Sequence, residues 1–239
     1  MTLFVLTLLL VALQQPVAPG LYHLSFPAPD LGPMRYALSI PRGYSPSEPR
    51  PLVLALHPGG ERVPGYGASF VQGVVAPGLS DLGAIIVAPD VPTRAWTDPM
   101  AEQAVMALLH KVLAEYSIDR SRVLVTGFSL GGRGTWFMAS RHADLFTAAI
   151  PMAGATGDTP VDRLATMPTY VIHSRDDDVV PFAPSERVVA DLKRLGRPVE
   201  LEALEGVTHF AMGGYVSSLR RAGRWVEEQW TSRSPGRPR

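Results

Sequence analysis

Cysteine is absent from this 239-residue chain, so disulfide staples, thiolate nucleophiles and cysteine-bound metals are excluded together. A lipid anchor attached through cysteine is excluded with them. Net charge is missing too: 22 basic residues balance 22 acidic ones, which leaves no summed positive field to hold a phosphate backbone and argues against nucleic-acid binding. Lysine is scarce, with only Lys111 and Lys193 among the basic residues, a bias that reads as codon composition rather than chemistry. What is present is a chain of one-domain length, 46% hydrophobic, with 22 glycines and 23 prolines scattered between apolar runs rather than gathered into low-complexity tracts.

The run Leu3 to Leu13 (LFVLTLLLVAL) has 11 residues, short of the roughly 20 that cross a bilayer but the length of a secretory h-region. It carries no Lys or Arg before it. The expectation is a signal peptide over about 1–18, a secreted or periplasmic protein, and no stable membrane anchor. A folded domain is expected over 19–230. The tail Thr231 to Arg239 has no apolar residue to bury and is expected to be disordered.

Leu21 to Phe26 and Met34 to Ile40 read as alternating strands of a hairpin, with Pro27, Pro29, Gly32 and Pro33 between them. Pro51 to Leu56 and Ala84 to Ala88 are continuous apolar runs, the pattern of strands buried on both faces of a parallel sheet, with a glycine-rich connection expected between them. A helix follows from Asp98 or Pro99 to Tyr116, with Asp98 as its N-cap. Further strands are expected at Val123 to Val125, Ala148 to Met152, Thr169 to Ile172 and Val199 to Ala203, and helices at Leu130 to Arg141, Pro184 to Leu195 and Val216 to Trp230. Such alternation predicts an α/β fold: a doubly wound, mostly parallel sheet opened by an amino-terminal antiparallel hairpin.

Gly127-Phe128-Ser129-Leu130-Gly131 matches G-x-S-x-G, preceded by a buried strand and followed by a helix. That context makes Ser129 the candidate nucleophile, because a sharp strand-to-helix turn lifts its hydroxyl above the carboxyl edge of the sheet. A phosphate loop is disfavoured, since no G-K-[ST] ending is present. A serine hydroxyl needs a base and the base needs an orienting acid, in the chain order Ser, Asp, His. Three histidines follow Ser129. His142 ends the nucleophile's own helix, where it faces the dipole; His173 ends a strand, where a structural hydrogen bond is expected; His209 lies in the loop before the last helix. Asp176, Asp177 and Asp178 are adjacent candidates for the acid, and their position alone does not separate them. No second carboxylate cluster or paired histidine supports a metal site there, so no metal and no cofactor is expected.

The stretch YSIDRSRVLVTGFSLGGRGTW, with RHADLF and AAIPMAG behind it, resembles the exported esterases of the α/β-hydrolase superfamily, the group that includes phospholipase/carboxylesterase and polyhydroxybutyrate-depolymerase-like proteins. The resemblance covers roughly 51–230. It implies His209 as the general base and, through the pattern H-G-x-x-D-x-x-V-P laid on His173 and Val180-Pro181, Asp177 as the acid; Ser174 departs from the usual glycine. It further implies an oxyanion hole built from the N–H groups of Leu130 and of a loop resembling H-G-G-G-E-R. Here that loop reads His57-Pro58-Gly59-Gly60-Glu61-Arg62; Pro58 has no N–H to give, so Gly59 is the position that matches the family donor. His57 is expected to brace the loop.

Trp96 and Phe128 are expected near the mouth of the substrate site, with Tyr66 and Phe70 as weaker candidates. The segment Ala155 to Met167, where lids of this fold insert, is too short for a helical cap domain, so an open, shallow site is expected. The resulting expectation is a serine esterase acting through an acyl-enzyme on small-molecule or polymeric esters, short-acyl or polysaccharide-linked. A serine peptidase on the same triad is the enzymatic alternative, and a non-catalytic hydrolase-like binding module the other. The sequence is silent on oligomeric state.

Overall fold

The computed structural model describes residues 16–61, 63–164 and 166–233. Most of the expected leader and the end of the tail lie outside the described residues.

Eight strands form one sheet in the order β1-β2-β4-β3-β5-β6-β7-β8. They are β1 (Gly20–Ala28), β2 (Gly32–Ile40), β3 (Arg50–Leu56), β4 (Ile85–Pro89), β5 (Ile118–Phe128), β6 (Ala148–Met152), β7 (Thr169–Ser174) and β8 (Val199–Leu204). β1 pairs antiparallel with β2, and β2 with β4, while the remaining pairs are parallel. The mostly parallel sheet with its amino-terminal hairpin is the one the sequence pattern implies.

Continuous apolar strands result because both faces are covered. Leu52, Leu54 and Leu56 of β3 point into a core shared with Val105, Leu108 and Leu109, whereas Val53 and Ala55 point into the opposite core with Val75, Leu219 and Val226. The first face carries helices α3 (Pro99–Glu115), α4 (Leu130–Arg141) and α5 (Ala183–Arg194), and the second carries α6 (Val216–Arg233). Asp98 caps α3 by accepting from the Met100 N–H at 2.9 Å.

The glycine-rich connection between β3 and β4 is not a loop. Most of it is helical: α1 (Tyr66–Phe70), a π-wound turn (Val71–Val75), α2 (Ala76–Leu79) and a closing 3₁₀ turn (Ser80–Leu82). Two of its glycines, Gly67 and Gly78, serve close approach, while Gly65 and Gly83 take positive φ at the ends of the helical stretch. A Cβ on Gly67 would stand 2.4 Å from the Ala88 carbonyl oxygen, and one on Gly78 2.6 Å from a Leu219 methyl. The helix is held against β4 and α6 by contacts that local composition does not reveal.

The expected tail is also shortened, because α6 continues to Arg233. Thr231 and Ser232 hydroxyls donate to the helix carbonyls of Glu227 and Gln229, both at 2.9 Å, and Arg233 reaches the Thr166 carbonyl. Between β6 and β7 the described chain makes only a 3₁₀ turn (Val161–Leu164), whose Leu164 is buried together with Met167. It packs into the domain and forms no cap over the carboxyl edge.

Candidate active site

The loops that follow β3, β5, β7 and β8 meet at the carboxyl edge of the sheet, the place where open α/β sheets bind ligands. Ser129 occupies the turn between β5 and α4 with φ 54° and ψ −113°, a left-handed conformation that a side chain rarely adopts and that costs on the order of 1–3 kcal/mol. The neighbours make it possible. A Cβ on Gly127 would meet the Gly131 carbonyl oxygen at 2.4 Å, and one on Gly131 would meet the Leu56 carbonyl oxygen at 1.8 Å. The Ser129 N–H donates to the Met152 carbonyl at 2.9 Å, tying the turn to β6.

The structure brings Ser129, His209 and Asp177 into one hydrogen-bonded line. Asp177 Oδ2 accepts from His209 Nδ1 at 2.8 Å, which leaves Nε2 to accept from the Ser129 hydroxyl, also at 2.8 Å. The other carboxylate oxygen of Asp177 accepts the N–H groups of Val180 at 2.7 Å and Val179 at 3.0 Å. Burial alone would raise the pKa of this carboxyl, but the His209 bond and the two backbone N–H groups together outweigh it and hold the group below its ordinary value.

The flanking aspartates do different work from Asp177. Asp176 accepts the Gly206 N–H at 2.6 Å and Asp178 the His209 N–H at 3.2 Å, so both fasten the loop that carries the histidine. His173 is buried beneath them. Its Nε2 donates to the Val180 carbonyl at 2.9 Å and lies 3.4 Å from Asp177 Oδ2, while Nδ1 accepts from the Ser185 hydroxyl at 2.7 Å. His142 stands apart, at the end of α4, where it meets Glu102 at 2.8 Å.

Leu130 is the first residue of α4, so its N–H is one of those a helix start leaves without an intrahelical partner. Gly59 lies against it: a Cβ on Gly59 would touch Leu130 Cβ at 3.4 Å. His57 braces this loop from inside, with Nδ1 donating to the Pro58 carbonyl at 2.7 Å and Nε2 accepting from the Val91 N–H at 3.0 Å.

A cleft of about 420 Å³ opens beside Ser129, lined by Gly59, Tyr66, Phe128, Val179, Phe210 and Met212 among others. Trp96 is not at its mouth. That ring is fully buried beside the loop that begins at His57, where its Nε1 donates to the His57 carbonyl at 3.0 Å and its Cβ packs on Gly134. Phe128 lines the cleft but is itself almost wholly buried, its ring between those of His209 and Tyr215. Phe70 belongs to the core. The exposed apolar rim comes instead from Val179, 51% exposed, and Phe210, 79% exposed, neither of which the sequence reading singled out. Phe210 directly follows His209, and that adjacency was the available signal.

Comparison with known proteins bears on the family and the fold. The sequence model of the dienelactone hydrolase family matches residues 82–218. Feruloyl esterase C of Emericella nidulans is 29% identical over 159 residues, which cover 62% of this chain and 56% of that protein. Cutinase 1 of Thermobifida cellulosilytica is 31% identical over 139 residues, covering 56% and 52% respectively. The chain thus spans about half the length of the curated relatives it matches. Among solved structures, a thermostable esterase superposes with a TM-score of 0.75 at 28% identity, over 87% of this chain and 62% of its own. With the family pattern running across more than half of its length and the eight-stranded sheet beneath it, the chain belongs to the dienelactone hydrolase family of the α/β-hydrolase superfamily.

Proposed function

We propose that this protein is a serine carboxylesterase that works through an acyl-enzyme. The observation that carries the reading is the unbroken line from the Ser129 hydroxyl through His209 to Asp177, each link 2.8 Å, opening into a cleft beside Gly59 and Leu130. In this reading Ser129 Oγ attacks the ester carbonyl carbon while His209 Nε2 takes its proton, and the Asp177 carboxylate offsets the charge that forms on the imidazole. The oxygen of the tetrahedral intermediate receives the N–H groups of Gly59 and Leu130. Collapse expels the alcohol with the proton from His209, and water repeats the sequence to free the acid.

The substrates proposed are short-acyl or polysaccharide-linked esters. Nothing among the described residues caps the cleft, and its exposed rim at Val179 and Phe210 leaves room for a polymer to lie across it. Names of relatives point the same way, since they include feruloyl esterase C and a bifunctional acetylxylan esterase/xylanase. Ser129→Ala should fold and lose at least about a thousandfold in turnover of p-nitrophenyl acetate. Retained turnover, or labelling of another serine by a fluorophosphonate, overturns the assignment; cleavage of peptide amides with negligible ester turnover moves the protein to the peptidase reading.

The proposed location is secreted or periplasmic, on the strength of the apolar run Leu3 to Leu13. No helix among the described residues is long and apolar enough to cross a membrane. Amino-terminal sequencing of natively expressed protein should begin near Pro16 to Leu21; an intact Met1 refutes the proposal.

A further inference from the structure

Asp90 follows the last residue of β4, and its side chain reaches the far end of the loop that carries Gly59. Oδ2 accepts the Gly65 N–H at 2.7 Å and Oδ1 the Gly67 N–H at 2.8 Å. Gly65 is the N-cap of α1, sits at φ 84°, and has no side chain with which to cap the helix itself. Asp90 supplies from 25 residues away the oxygen that a local Ser or Asp would ordinarily provide. Its own backbone is anchored, because the Asp90 N–H donates to the Arg35 carbonyl at 2.8 Å on β2.

The next residue grips the other end of the same loop. The Val91 N–H donates to His57 Nε2 at 3.0 Å, and His57 Nδ1 passes the restraint to the Pro58 carbonyl at 2.7 Å. Tyr66, held between the two amides that Asp90 binds, places its ring 4.5 Å from that of His57 and its hydroxyl 3.4 Å from the Gly59 carbonyl. The loop is therefore held at its start through His57 and at its end through Gly65 and Gly67, both from the tip of β4. Resting on the ester-hydrolase reading of the site, we infer that Asp90 is a positioning residue for the oxyanion hole: its carboxylate fixes where the Gly59 N–H points.

The mechanism by which its loss acts is specific. Acylation and deacylation both pass through an oxyanion, so a displaced Gly59 N–H weakens both transition states and leaves ground-state binding alone. Asp90→Ala and Asp90→Asn should each lower kcat for p-nitrophenyl acetate on the order of 10- to 100-fold, with KM changed less than about twofold. Affinity for an aryl trifluoromethyl ketone, which adds the serine oxygen and leaves an oxyanion in the hole, should fall by the same factor as kcat/KM. Asn matches Asp in size but accepts with one oxygen only, so it carries the test if the alanine variant does not fold. The inference is overturned if kcat stays within about twofold of the parent, if the loss falls on KM alone, or if ketone affinity is unchanged while kcat drops. Ser129→Ala measured alongside separates this result from the underlying reading: an inactive Ser129→Ala with unaffected Asp90 variants sinks only the role of Asp90, whereas an active Ser129→Ala sinks the ester-hydrolase site itself.

Discussion

Two walls flank Ser129, and they are fastened by the same kinds of group for different ends. The wall formed by the loop 57–66 is held by His57, buried and hydrogen-bonded through both ring nitrogens, and by the Asp90 carboxylate on two backbone N–H groups. The opposite wall, the turn 176–180 with the loop around His209, is held by His173, likewise bonded through both nitrogens, and by Asp176 and Asp178 on backbone N–H groups. Only on this second wall does a further carboxylate, Asp177, reach a side chain that touches the serine. On the second wall the group that reaches the serine is a distinctive side chain, visible as a residue type. On the first, Gly59 carries no side chain, and only its match to the family's loop pattern singled it out.

The largest effect that would break this comparison lies at the three adjacent aspartates. Asp177→Asn should cost at least about a thousandfold in kcat, because an amide facing His209 Nδ1 favours the wrong tautomer. Asp176→Asn and Asp178→Asn should each stay within about tenfold, since the amide oxygen still accepts the Gly206 or His209 N–H. Steady-state kinetics on the three variants checks this, and an inactive Asp176→Asn with an active Asp177→Asn would reverse the roles.

A smaller effect concerns the open cleft between the walls. With no enclosed apolar tunnel beside Ser129 among the described residues, burial worth about 0.8 kcal/mol per CH₂ is not available beyond the first carbons of an acyl chain. The kcat/KM for p-nitrophenyl esters should therefore level off near C4; a steady rise through C12 contradicts the lidless site.

The smallest effect is on stability and compares the two bracing histidines directly. Burial holds His57 and His173 below the ordinary imidazole value of 6.5. Each folded pKa lies below its unfolded one, so the folded state binds fewer protons than the unfolded state in that interval. The stability each contributes is complete above pH 6.5 and is lost as pH falls through the folded value. Urea midpoints measured on acidification below pH 6.5 should fall, and His57→Gln and His173→Gln should each flatten part of that fall. A variant that keeps the parent slope shows that its wall is not braced by a neutral histidine.

How much of this was legible beforehand follows from where each constraint acts. Ser129 was readable because the glycines that permit its turn sit within two residues of it, at Gly127 and Gly131. His209 was reachable by chain order and by resemblance. Among the aspartates, residue type alone left three equal candidates, and a family register was needed to favour Asp177. The helix over Tyr66–Leu79 was missed because its glycines look like loop until Leu219, far along the chain, is packed on Gly78. Trp96 was misplaced for a related reason: a large aromatic in a loop is as suited to a cleft as to a core, and its neighbours His57 and Gly134 decide the matter.

The sequence by itself determined the alternation of strand and helix, the doubly buried parallel sheet and the strained serine turn, because each depends on hydrophobic periodicity or on sterics between near neighbours. The tertiary structure alone decided which residues rim the cleft and that Asp90 holds the loop of Gly59, and it set the Asp177 carboxylate, which residue type could not separate from its neighbours, against His209. Those relations join chain segments tens of residues apart, and a hydrogen bond between them depends on where folding sets two loops, to within a few tenths of an ångström.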